Sequence, residues 1–138
     1  MNKRQFLACS VAAAACAAGC STVGNVQTTT PRRVKLVFMF HRRPGMELAD
    51  FSRYWRDQHA PIGAALPGVR RYVQNHTGPT LDGSPPPCDG FTELWFDDMA
   101  SLQRALASPE AQAALTDSVN FLDVARVQTF IVDEVTVL

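Results

Sequence analysis

The 138-residue chain is long enough for one domain with a buried core and too short for two comfortable ones. With 46% hydrophobic and 19% charged residues it has the composition of a soluble globular protein, not of a disordered chain. Thirteen basic side chains against thirteen acidic ones leave no net charge, which argues against nucleic acid as a partner.

The first twenty residues, MNKRQFLACSVAAAACAAGC, join a basic start (Lys3, Arg4) to an uncharged run from Phe6 to Ala18. That run is shorter than the about 20 apolar residues that span a bilayer, and it fits the middle of an export signal. Ala17-Ala18-Gly19-Cys20 resembles a bacterial lipobox, in which the cysteine thiol takes the lipid, with Ala17 standing where leucine is usual. Residues 1–19 are therefore expected to be a signal peptide and Cys20 the lipidated residue. Residues 20–32, rich in Thr, Gln and Asn, would be a flexible tether to the outer membrane on its periplasmic side. Plain cleavage, leaving a soluble periplasmic protein, is the alternative. Lys3-Arg4-Gln5-Phe6-Leu7 is compatible with either the Sec or the twin-arginine route.

Residues 33–138 carry the domain. Val34 to His41 (VKLVFMFH) reads as a strand, and Arg42-Arg43-Pro44-Gly45 as its turn. A helix is expected from Met46 to Ala60, with Phe51, Tyr54, Trp55, Gln58, His59 and Ile62 on one face. Pro61 should end it, because proline has no N–H and its ring clashes with the carbonyl four residues back. A second strand covers Val69 to His76, a loop Thr77 to Asp89, and a third strand Phe91 to Phe96. Asp97 or Asp98 caps the next helix, and Ser108-Pro109-Glu110 restarts it towards Val119. Val127 to Val137 is the last strand.

The order β-α-β-β-α-β is that of an α+β ferredoxin-like fold, an antiparallel four-stranded sheet with both helices on one face. The first strand is apolar on both sides, with Val37 and Met39 on one and Leu36, Phe38 and Phe40 on the other. A sheet apolar on both faces needs a second partner, and a homodimer closing two sheets into a barrel would supply it.

PGMELADFSRYWRDQHAPI, GVRRYVQNH, DGFTELWFDDMASLQRALASPE and the Asp117 to Asp123 stretch together resemble the EthD family of dimeric α+β barrel proteins. The resemblance covers essentially all of the domain. It implies a homodimer, a pocket between helices and sheet in each subunit, and a loose association with oxidoreductase systems. Relatives of the same barrel include cofactor-free lyases and isomerases acting on small cyclic molecules. The family is commonly intracellular, so the export leader is a departure.

The chemical candidates sit where these elements converge. His59, a family-motif histidine near a helix end on the buried face, is the candidate acid–base group; its bland alternative is a clamp on the Pro61 turn. Phe51 and Trp55 would form pocket wall, Tyr72 and Gln74 would orient a carbonyl or phenol, and Glu93 would be either a pocket carboxylate or one half of an ion pair with Arg71. His41, His59 and His76 lie on separate elements without metal-ligand spacing, and no haem or phosphate motif appears, so no metal or cofactor is expected. Two functions remain open: an enzyme acting on a small hydrophobic organic molecule, or a non-catalytic binding or carrier lipoprotein of the cell envelope.

Overall fold

The computed structural model describes residues 33–138; the expected signal peptide, Cys20 and the tether lie outside the described residues. Four strands, β1 (Val34–Phe40), β2 (Arg71–His76), β3 (Gly90–Phe96) and β4 (Gln128–Val132), form one antiparallel sheet in the order β2-β3-β1-β4. Helices α1 (Leu48–Tyr54), α2 (Ala60–Ala64), α3 (Met99–Leu106) and α4 (Pro109–Ser118) connect them. This is the ferredoxin-like arrangement. The last strand is shorter than its sequence suggests, ending at Val132.

Register assigns the two sheet faces. Leu36 is opposite Leu94 and Ile131, Leu94 is opposite Tyr72, and Phe38 is opposite Thr92, which is opposite Gln74. Directly paired residues share a face, so these side chains form the helix-covered side. Lys35, Val37, Glu93, Trp95, Val73 and Phe130 share the other side.

Two hydrophobic clusters fix the helices. One joins Leu36, Leu94 and Phe96 to Leu102 and Ala105 of α3. The other joins Phe40 to Phe51, Trp55, Phe121 and Leu122. Phe51 and Trp55 are 0% exposed, each worth roughly 1.5–3 kcal/mol of burial. Asp98 accepts from the Ser101 N–H and Ser108 from the Ala111 N–H, so both later helices start on side-chain caps, and Pro109 occupies the first turn of α4.

The helix does not stop at Pro61. Between α1 and α2 lies one π-turn, Trp55–His59, in which the Ala60 N–H reaches the Trp55 carbonyl five residues back. The widened turn resets the register, so Pro61 falls in the first turn of α2, where a missing N–H costs little. Phe51, Trp55, His59 and Gly63 are then buried at spacing four, while Gln58, expected inside, is exposed.

Candidate functional site

Between α4, the α1–α2 unit and the sheet lies a cavity of about 360 Å³. Its walls are mostly apolar: Phe38, Leu94 and Phe96 from the sheet, Leu66 after α2, Ala111 and Leu115 from α4, and Leu122 and Val127 beyond. The polar side chains that reach it include His59, Tyr72, Thr92, Ser118 and Thr129. Gly63 lets the Tyr72 ring approach closely, since a Cβ at that position would meet it at 3.2 Å.

His59 is 7% exposed. Its Nδ1 lies 2.8 Å from Asp117 Oδ2 on α4, and its ring packs against Phe121 at 4.8 Å. The other Asp117 oxygen accepts from the Tyr54 hydroxyl at 2.7 Å and from Asn120 Nδ2 at 3.1 Å. Burial pushes the Asp117 carboxyl up, but the hydrogen bonds from Tyr54, His59 and Asn120 outweigh it, leaving the group below its usual range. The bond to Asp117 shifts the Tyr54 phenol upward, assisted by burial. A carboxylate on Nδ1 selects the tautomer with its proton there, which leaves the Nε2 lone pair available to the cavity.

The geometry is an imidazole held by a half-buried carboxylate on the wall of a largely apolar cavity, an arrangement able to accept and return a proton. Among the described residues no group of three or more His, Cys, Asp or Glu is placed to hold a metal ion. The profile of the EthD domain matches residues 43–125. The chain belongs to the EthD family.

The EthD chain is 33% identical over 106 residues to an uncharacterized 11.0 kDa protein in the thcB–thcC intergenic region of Rhodococcus erythropolis, covering 77% of this chain and 97% of that one. An ethyl tert-butyl ether D family protein from Bacillus halodurans has a similar structure, with TM-score 0.64 and 25% identity over 75% of this chain and 99% of its own. SnoaB from Streptomyces nogalater, a cofactor-independent oxygenase, shares the fold at TM-score 0.54 and 17% identity, covering 78% of this chain and 97% of its own. So does a dimeric ferredoxin-like protein of unknown function from Thermobifida fusca, at TM-score 0.56 and 16% identity, covering 74% and 91%.

Within this EthD domain the residues singled out from sequence separate into three places. His59 and Tyr72 line the cavity. Phe51 and Trp55 sit behind its wall in the aromatic cluster. Gln74 also lies behind, where its Nε2 donates to the Trp55 carbonyl and to the Tyr72 oxygen, both at 3.0 Å. Glu93 is on the opposite face of the sheet, and its partners there are Lys35 Nζ at 3.0 Å and Asn75 Nδ2 at 3.1 Å. Arg71, the ion-pair partner expected for Glu93, instead lies over the Trp95 ring. Asp117 and Tyr54 were not among the sequence candidates, although Asp117 opens one of the stretches that carry the family resemblance.

Outside this cavity, a more open depression at the β1–α1 turn is lined by His41, Arg42, Arg43, Asp89, Asp123 and Arg126. Asp89 there already accepts from the Arg42 backbone N–H at 2.8 Å and pairs with the Arg42 guanidinium, so it ties the turn to the β2–β3 loop.

Proposed function

We propose that this EthD protein binds a small hydrophobic organic molecule in the helix–sheet cavity and moves a proton on it through His59. Nε2 takes a proton from a phenolic O–H or from a C–H beside a carbonyl, and the electron pair stays on the ligand as phenolate or enolate. The imidazolium so formed faces the Asp117 carboxylate. The His59–Asp117 bond carries this reading, because a histidine clamping the Pro61 turn would bond a local carbonyl and needs no carboxylate on its ring nitrogen. The cofactor-independent oxygenase SnoaB, built on the same fold, supports chemistry without a bound cofactor in such a barrel. A cavity wall so largely apolar also suits a second reading, a carrier that binds the molecule without changing it.

Deuterium exchange into the α-carbon of 1-tetralone, followed by NMR in heavy water, separates the two. Exchange above the buffer rate, abolished in His59→Gln while binding persists, is the expected result. Binding without exchange in the unaltered protein would leave only the carrier.

The functional unit in this proposal is a homodimer joined through the open sheet face, where Val73, Phe91, Phe130 and Val132 surround the Lys35–Glu93 pair. The dimeric ferredoxin-like protein of Thermobifida fusca supports it. Delivery to the envelope by lipid on Cys20 belongs to the same proposal. Metabolic labelling with palmitate, lost in Cys20→Ser, is its test.

A further inference from the structure

Two buried side-chain polar atoms have no hydrogen-bond partner among the described residues, Trp55 Nε1 and Thr92 Oγ1. An unpaired buried donor costs about 1–3 kcal/mol and calls for a reason. Both lie next to a third group, the Tyr72 hydroxyl. Burial raises the Tyr72 phenol, while the neighbouring Gln74, Trp55 and Thr92 side chains pull the other way; of these only Gln74 is within hydrogen-bond reach of its oxygen. Thr92 is 4% exposed and, with Tyr72, lines the cavity floor.

Gln74 decides where the Tyr72 proton points. Its Nε2 must be the donor to Trp55, because a backbone carbonyl can only accept. The second Nε2 proton therefore goes to the Tyr72 oxygen. Gln74 Oε1 is occupied by His76 Nε2 at 3.2 Å. Burial and the Arg56 charge shift His76 downward, so it supplies that proton as a neutral ring. With its oxygen accepting from Gln74, Tyr72 is left to donate its own proton, and the cavity is the space open to it.

We propose that Tyr72 and Thr92, backed by Trp55 Nε1, form a subsite for one oxygen of the ligand on the cavity floor. The ligand class is then a ring ketone, enol or phenol whose oxygen meets Tyr72 and Thr92. Its acidic proton faces His59 across the cavity. Gln74 is a positioning residue, acting through Tyr72. This inference rests on the cavity being the ligand site and adds the oxygen that orients the ligand there.

The test is the ratio of dissociation constants for 1-tetralone and tetralin, which differ by one carbonyl oxygen, measured by calorimetry on the unaltered protein and on Thr92→Val and Tyr72→Phe. The unaltered protein should prefer the ketone about tenfold, the value of about one net hydrogen bond. Each substitution should reduce that preference and leave tetralin bound as before. Thr92→Val removes an unpaired hydroxyl from a strand, so its melting temperature should hold or rise, which keeps the comparison readable. Equal binding of the two probes, or a preference that survives both substitutions, overturns the oxygen subsite and leaves the cavity reading intact. Failure of both probes to bind overturns the two together.

Discussion

Asp117 and His59 stand 58 positions apart in the chain, on different helices, and meet at 2.8 Å beside the cavity. The contact links α4 to the π-turn and is extended by Tyr54 and Asn120 on the other carboxylate oxygen. Such a carboxylate orients the ring, selects its tautomer and stabilises its charged form in one arrangement. The same four side chains also tie two helices together, so stability and chemistry are coupled here.

Asp117→Asn separates the charge from the shape. The amide keeps the volume but loses the negative charge facing the ring, so α-proton exchange should fall by about a hundredfold or more. Hydrogen bonds to a charged group contribute about 1.5–3 kcal/mol, and the folded state should lose an amount of that order. Exchange NMR and urea denaturation read the two effects on one sample. An exchange rate equal to that of the unaltered protein would remove Asp117 from the mechanism.

Acid should weaken the same link. Asp117 is held below its ordinary value of 3.8, so its stability contribution is complete above that value and is lost as pH falls through the lower folded-state value. The stability gap between the unaltered protein and Asp117→Asn should therefore be widest near neutrality and shrink below about pH 4. Urea midpoints taken from pH 7 to pH 3 measure it. A gap that stays constant or widens in acid contradicts the depressed carboxyl.

Much of this arrangement is legible in the sequence. Strand and helix order followed from apolar periodicity, Asp98 was one of two candidate caps, and the helix restart at Ser108-Pro109-Glu110 followed from residue type. His59 stood out through helical spacing and the family stretch around it. The π-turn did not, because a period of 3.6 cannot register one inserted residue, and Pro61 pointed to a stop that the turn makes unnecessary. Glu93 was ambiguous for a different reason. Both faces of β3 are apolar, Phe91 and Trp95 on one side and Leu94 and Phe96 on the other, so only register shows which face the helices cover. Asp117 required a contact between distant segments, which alternation within one segment does not encode.

Gly90 tests how tightly the aromatic cluster is set against the sheet. A Cβ there would come within 2.5 Å of Trp55 Cζ3 and 2.8 Å of the Asn75 carbonyl oxygen. Trp55 is fully buried and cannot swing away, and the other obstacle is backbone. Gly90→Ala should therefore cost about 1–3 kcal/mol by overpacking, lowering Tm by about 4–8 °C for each kcal/mol lost. A melting temperature unchanged by the substitution would mean that Trp55 has room the structure does not give it.

Phe130 offers the corresponding test for the open sheet face. It lies on β4 opposite Val37, on the side away from the helices, and is 43% exposed in the single chain. Val37 lies directly across from it, and the charged groups on that face are already engaged, Lys35 with Glu93 and Glu134 and Arg71 over the Trp95 ring. A carboxylate at Phe130 would remain hydrated in a monomer but would be desolvated inside a closed barrel of two sheets. Phe130→Asp should thus shift sedimentation from dimer to monomer at micromolar concentration, with far-UV circular dichroism retained. The cavity lies on the other face, so 1-tetralone binding should persist in the monomer. A dimer that survives Phe130→Asp would place the subunit contact elsewhere, and a monomer in the unaltered protein would sink the barrel outright.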